Sequence, residues 1–561
     1  MSTKRSVGKD WSSVTGLEAM TSKRLISSDL QQVEQDIDAE FKRNPLLALP
    51  FSQAAWWYLI FCEDKLLKGL EIDDLGSRQG LMCFVDDLVT GMKTPLLWLW
   101  QSCEAGRTVS TGFSDYYYKA AWDLSLLGDA YSPFENAYKY ASAGLIPLKL
   151  DGHTVTPQVL FSDGSEYEAY DRLFSDAEPN GREFSDEAKE WFNDIRQTVT
   201  IAGTKFSYQL NPAIVAQGVD VLSPILDRQF RLPSTWKLPR YTFGDFHAVI
   251  SIIRVMAMAH YLAHIAAARN RCEGLGVVSS VRLMKKQELV KRIRRYSNLD
   301  TTVIESIVRD ITFGERGIRN PDPALQPLIP LTKDRIAISP ALFLGLDVER
   351  NFTVLLNRID GEKEAYSRLS TDRENITRTR MTDILSSQTL SFWHGALPGK
   401  PDLPDVDLAI IDHEERVCLV LELKSFIQPA EPREILEKNQ EIQKGVAQCL
   451  SLKETYSQSS GVFMSCLEID DRYEVVFAVA SETFVGTNAV QNDEIPVVRS
   501  FHLVRHLVGS KSLRDTCSWL QKREYLPVRG REFDVQDTVS TVGKWNVKWY
   551  GIKPLISDAY S

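Results

Sequence analysis

The chain has 561 residues, too many for one hydrophobic core, and its 43% hydrophobic and 25% charged residues suit a soluble globular protein of about two to four domains. A formal net charge of −10 argues against a surface coated in basic charge for general nucleic-acid binding, although a local basic groove fits on an acidic chain. The eight cysteines form no CxxC pair, so a zinc ribbon or redox motif has no support; several lie in apolar runs such as VCLVLEL, which predicts buried thiols in a reducing, cytoplasmic setting.

The opening residues, MSTKRSVGKDWSS, lack the apolar stretch of a signal peptide. Residues 1–150 read as mainly helical, because QQVEQDIDAEFKR, SQAAWWYLIFCEDKLLKGLE and RQGLMCFVDDLVTGM each place apolar residues three and four apart. Aromatic residues are dense there (Trp56, Trp57, Trp98, Trp100 and Tyr116 to Tyr118); interhelix packing is the expectation and a binding groove the alternative. Residues 150–240 are mixed, with turn signals and short extended runs in LDGHTVTPQVLFSDGSEYEAY. A long helix follows at 244–270, broken in its apolar character by Arg254 and His260, so no membrane span is expected. Within it His260 and His264 lie four apart, but Tyr261 stands where a zincin has Glu, and packed histidines are the expectation.

The most basic window is RLMKKQELVKRIRRY (282–296), read as an amphipathic helix with Leu289, Ile293 and Tyr296 on its apolar face. It has two readings, a phosphate-tracking surface or a merely solvated face. Residues 1–320 are therefore expected to form a mostly helical regulatory or recognition region, with 321–360 a proline-rich linker and short strand. That helical region is expected to serve a protein partner or a homo-oligomer contact.

After residue 360 the pattern becomes helix, three strands, helix, strand. The strands are TLSFWHG, VDLAII, RVCLVLELKSF and YEVVFAVAS, and EPREILEKNQEIQKGVAQCLSLKETY is a long helix between the last two. This is an α/β domain on a mixed sheet over 361–510, with 511–561 as a C-terminal extension.

The chemistry concentrates in PDVDLAIIDHEERVCLVLELKSF (404–426). Side chains alternate faces along a strand, so Glu422 and Lys424 share one face, as Asp405 and Asp407 share one of theirs. If the two strands pair through the turn Asp412–Glu415, carboxylates and an ammonium converge. Two carboxylates and the Leu423 carbonyl could hold Mg²⁺ or Mn²⁺ for phosphodiester hydrolysis, with Lys424 orienting water or offsetting charge. An ExK triplet alone is usually a solvated strand face. Here it ends a strongly apolar strand, where polar groups face either a site or a costly burial.

The residues PDVDLAII…VCLVLELKS resemble the core of the PD-(D/E)xK, restriction-endonuclease-like nuclease superfamily, over about 365–505. The resemblance implies divalent-metal-dependent cleavage of nucleic acid, DNA more often than RNA. It puts the metal-binding aspartate on Asp407 or Asp405, the second acidic ligand on Glu422 and the lysine on Lys424. Asp407 is preferred because it directly precedes the apolar run. The family's helical acidic residue falls on Glu374, with Glu364 second, and its polar residue on the following helix on Gln448, with Gln443 and Lys444 as alternatives. A long non-catalytic region fused to such a domain resembles bacterial defence effectors of the restriction or abortive type. Two other readings stand beside this one: a nuclease-fold binding or assembly subunit with little cleavage, and a helical scaffold whose ExK match is accidental. His394 and His413 flank the motif, and His502 and His506 lie four apart without a partner pattern. No GxxxxGK[ST] or GxSxG sequence occurs, so neither a P-loop nor a nucleophile elbow is expected.

Overall fold

The computed structural model describes residues 31–70, 78–142, 147–157, 165–173, 185–203, 205–229, 232–269, 276–398, 404–429, 432–458, 460–487 and 490–555. The protein is mixed α/β, with a largely helical N-terminal part and several sheets. It divides into two compact units. One comprises Met1–Ala39, Pro133–Pro179 and Asp372–Ser561, the other Glu40–Ser132 and Asn180–Thr371. The expected boundaries near 320, 360 and 510 differ from this division, because long-range packing draws non-contiguous segments into each unit.

The unit made of Glu40–Ser132 and Asn180–Thr371 is built around the helix Phe243–Arg269, which is apolar on nearly all sides and buried along most of its length. It is long and apolar enough to cross a membrane, yet 78% of that apolar window is buried inside the unit, as a core helix requires. His260 is packed within it, its Nδ1 against the Tyr208 hydroxyl at 3.2 Å and its Nε2 against the Ser279 carbonyl at 3.0 Å. Burial pushes the His260 imidazole down to about 3 and lowers His264 too. The early aromatics are interhelix packing: Trp56 and Trp57 are buried and Trp57 stacks on Tyr117.

The basic window is not one helix. Arg282–Lys285 is a strand, antiparallel to Arg335–Ile338, which pairs in turn with Leu328–Pro330; the helix starts at Lys286. The expected linker is thus part of a three-stranded sheet. Its prolines delimit short strands, and Leu328, Ile329, Ile336, Ala337 and Ile338 have no solvent exposure. Asp310 and Glu362 are also buried here, joined by Arg240 at 3.0 and 2.7 Å, with the Tyr241 hydroxyl donating to Asp310 at 2.6 Å and Arg316 pairing with Asp310.

The other unit carries, in chain order, β1 (Leu148–Asp151), β2 (Thr154–Pro157), α1 (Ser165–Leu173), α2 (Arg373–Leu385), β3 (Ser391–Gly395), β4 (Val406–Asp412), β5 (Val417–Lys424), α3 (Pro432–Gln458), α4 (Ser460–Leu467), β6 (Glu474–Ser481), β7 (Val497–Arg499), α5 (Ser500–Ser510), α6 (Leu513–Gln521), β8 (Phe533–Val542) and β9 (Trp545–Pro554). Strands β3 to β7 form one mixed sheet in the order β7-β6-β5-β4-β3. The pairs β3/β4 and β4/β5 are antiparallel; β5/β6 and β6/β7 are parallel, with α3 in the β5–β6 crossover. Helix α3 packs on β5 and β6 beside α4, while α2, α5 and α6 form a second packed group on the sheet. The sheet's continuous apolar strands are buried from Leu408 to Ile411 and from Val417 to Leu423, as strands covered on both faces must be.

The tail after residue 511 is integral rather than an extension. Leu513, Cys517 and Leu520 of α6 join the sheet's core, and β8/β9 close a four-stranded sheet with β1 and β2. Helix α1 is held by a buried Arg499–Asp171 ion pair at 2.8 Å and by a Tyr170 hydroxyl–His502 contact at 2.8 Å. His502 therefore has a packing partner that its spacing did not reveal, and His506 stacks on Trp519.

Candidate active site

Antiparallel pairing of β4 with β5 runs from Asp412↔Val417 to Leu408↔Leu421, and one more step in that register sets Asp407 opposite Glu422. Directly opposed residues share a face of the sheet, with Cβ atoms about 4.5–5.5 Å apart. The ladder opens at this step. The Asp407 carboxylate, through Oδ2, accepts the Leu423 backbone N–H at 2.8 Å. The N–H and C=O of a strand residue point the same way, so the Leu423 carbonyl is directed to the same edge of β5.

A bulge helps to produce this opening. Between the pairs Trp393↔Ala409 and Gly395↔Val406, β3 contributes His394 alone, whereas β4 contributes both Asp407 and Leu408. Such an extra residue bends its strand and re-aims the side chains beside it. Gly395, at φ 132°, occupies the left-handed side of backbone space that suits glycine.

Glu422 is 3% exposed and pairs with Lys424 Nζ at 2.7 Å through Oε1; its Oε2 is buried without a hydrogen-bond partner. Lys424 also donates to Gln448 Oε1 on α3 at 3.3 Å. Burial raises both carboxyls. In Glu422 the neighbouring Asp407 charge adds to that and brings it to about 7, against the opposing pull of Lys424. Burial opposes the Lys424 charge, but Glu422, Glu374 and Asp407 together outweigh it and raise the ammonium. Glu374, at the solvent edge near the start of α2, is raised by the surrounding protein and then by Asp407.

Of the residues expected from sequence, Asp407, Glu422, Leu423, Lys424 and Gln448 therefore meet at one end of the sheet, and Glu374 lies within electrostatic reach. Asp405 does not join them: it is exposed and precedes β4, outside the pairing that aims Asp407. Gln443 and Lys444 are exposed, Lys444 being paired with Glu441, and Glu364 belongs to the other unit. His413 sits in the β4–β5 turn, at the far end of both strands, against the Tyr473 hydroxyl.

Four residues join the site that sequence reasoning did not single out. Gly445 on α3 lies so close to β5 that a Cβ would meet Lys424 Cε at 2.9 Å and Glu422 Cγ at 3.3 Å, so its lack of a side chain lets the helix cover the site. Its legible signal was a glycine inside a strong helix, which often marks close approach. Thr377 on α2 contacts the Ser425 hydroxyl at 2.5 Å, and Arg378 reaches the Asp407 carbonyl at 3.4 Å while holding Asn375.

The donor set fits a hard divalent cation. A buried carboxylate oxygen lacks a partner, a second carboxylate faces it, and a backbone carbonyl points to the same edge. Among the described residues no group of three or more His, Cys, Asp and Glu side chains is drawn together for a metal. A cation held here would rely on two carboxylates, backbone and water, the mixed shell that Mg²⁺ tolerates. Comparisons with protein-family models, with curated proteins and with solved structures find no match for this chain.

Proposed function

We propose that the unit containing Asp407, Glu422 and Lys424 is a Mg²⁺- or Mn²⁺-dependent nuclease of the PD-(D/E)xK, restriction-endonuclease-like type, hydrolysing phosphodiester bonds in nucleic acid, DNA in preference to RNA. The observation that carries this reading is the facing of two half- to fully buried carboxylates, Asp407 and Glu422, with one ammonium between Glu422 and Gln448. Burying two like charges side by side is unfavourable unless one takes a proton, as the rise of Glu422 towards about 7 reflects, or a cation joins them, and the proposed ion would do the latter.

Asp407 and Glu422 would hold the divalent ion, with the Leu423 carbonyl completing the protein's share. When bound, the ion polarises a phosphoryl oxygen and lowers the pKa of an attacking water. Lys424, which donates to Gln448, would orient that water and offset charge gathering on the phosphate. Leu423 N–H fixes the Asp407 carboxylate, and the missing side chain of Gly445 lets α3 lie close over the Glu422 face of the strand.

The test is a cleavage panel on linear, circular and single-stranded DNA and on RNA, with Mg²⁺, Mn²⁺ or EDTA. Fragments are expected with either metal and none in EDTA. Glu422→Ala and Lys424→Ala should each lower the rate roughly 100-fold or more, the scale of losing a preorganised charge at a reacting phosphate. Cleavage in EDTA, or cleavage that survives both substitutions, would refute the assignment.

A further inference from the structure

The sheet that replaces the expected linker brings together basic residues far apart in sequence. Lys285 and Arg335 are directly opposed in the antiparallel ladder, and both are exposed. Like charges so placed repel one another in the free protein. Lys333 is exposed in the turn beside them. The helix that starts at Lys286 buries Leu289, Val290 and Ile293 and leaves Lys291, Arg294 and Arg295 exposed, three and four residues apart on its outer side.

The carboxylates nearby do not neutralise this set. Glu288 is taken by Arg292 at 2.7 Å and Glu315 by Lys286 and Arg309; Asp334, exposed between Lys333 and Arg335, accepts the Thr332 hydroxyl at 2.9 Å and keeps its charge, so that turn is left with one net positive charge. Among the described residues, Lys285, Arg294 and Arg335 form no ion pair with a carboxylate, Lys291 is within electrostatic reach of Glu288, which Arg292 already holds, and Arg295 lies over the Tyr296 ring at 6.0 Å. From Lys285 to Arg295 the helix rise spans roughly 15 Å, the length of about four to five phosphate steps on one strand. A chain of net charge −10 that gathers these cations in one such belt has a surface complementary to a linear polyanion.

We propose that Lys285, Lys291, Arg294, Arg295 and Arg335 form a nucleic-acid-binding face that grips the phosphodiester backbone without reading base sequence. This deepens the nuclease reading by giving the helical unit a substrate-holding role, and it rests on that reading for the choice of nucleic acid over other polyanions. The face belongs wholly to the helical unit, so it is separable from cleavage.

The test is fluorescence anisotropy of the full chain with labelled DNA, single-stranded and duplex, in EDTA so that no cleavage interferes. Lys291→Ala/Arg294→Ala/Arg295→Ala and Lys285→Ala/Arg335→Ala are compared with a control, Lys444→Ala/Lys522→Ala, on the other unit, after matching far-UV spectra and melting temperatures. The triple variant is expected to weaken duplex binding about tenfold or more and to flatten the slope of log affinity on log salt by roughly 0.9 for each phosphate that is no longer neutralised. The double variant should act in the same direction. Binding within twofold of the unsubstituted protein, an equal loss in the control, or equal affinity for poly-glutamate would overturn the proposal. Because the readout is binding without metal, failure of the cleavage assignment leaves this result intact, and failure here leaves the cleavage panel intact.

Discussion

Each unit buries a pair of carboxylates, and the two pairs are solved differently. Asp310 and Glu362 are bridged by Arg240, and Asp310 has Arg316 and the Tyr241 hydroxyl besides, so two negative charges meet two guanidiniums. Asp407 and Glu422 face each other with one ammonium, Lys424, bonded to Glu422 and a single backbone N–H bonded to Asp407. Neither an orphaned oxygen nor a raised acid distinguishes them, since Oε2 of both Glu362 and Glu422 lacks a partner and burial lifts both Asp310 and Glu422 to about 7. The balance of charge does. A compensated cluster ties segments together, whereas an under-compensated one at the open end of a ladder is, on the function proposed above, where a cation from solution would bind.

The comparison is sharpest in stability. Asp310→Ala should destabilise its unit by about 2–3 kcal/mol, because it removes the buried partner of two partly exposed guanidiniums, Arg316 and Arg240, and of the Tyr241 hydroxyl; urea titration measures this, and a loss below about 1 kcal/mol would mean that the cluster is not a staple. Glu422→Gln should do the opposite without metal. An acid raised on folding leaves the folded state holding more protons than the unfolded one, so stability falls as pH rises from the ordinary glutamate value towards about 7. Relative to the unsubstituted protein, the variant should therefore gain in melting temperature as pH goes from about 5 to about 8. Added Mg²⁺ should raise the melting temperature of the unsubstituted protein, and not that of Glu422→Gln; equal shifts in both would break the comparison.

A smaller effect is expected at Gly445→Ala. The added methyl must displace Lys424 Cε, the far end of a flexible chain, so folding should change by about 1 kcal/mol or less while cleavage falls about tenfold through misplacement of the ammonium. Unchanged cleavage together with unchanged stability would show that Lys424 needs no fixed position.

Much of the candidate site was legible because β-strand chemistry is local. The two-residue period put Glu422 and Lys424 on one face, and the apolar runs DLAII and VCLVLEL marked the strands and the turn between them. The family resemblance pointed to Gln448 on the following helix, with Gln443 and Lys444 as alternatives; the packing of α3 on β5 brings Gln448 to Lys424 and leaves the other two exposed. The choice between Asp405 and Asp407 was less accessible, because it depends on ladder register and a bulge against β3, which are properties of paired strands.

What the sequence by itself determined was the secondary structure around the motif, the packing character of the early aromatics and the apolar strands of the mixed sheet. Only the tertiary structure decided that β1, β2 and α1 join the unit of residues 372–561, that the proline-rich 321–338 segment closes a sheet with Arg282–Lys285, and that Gly445 lets α3 lie on Glu422 and Lys424. The reason is range. Propensity and periodicity act over a few residues, whereas strand partners and helix contacts between distant segments are selected by the apolar surface that they bury together.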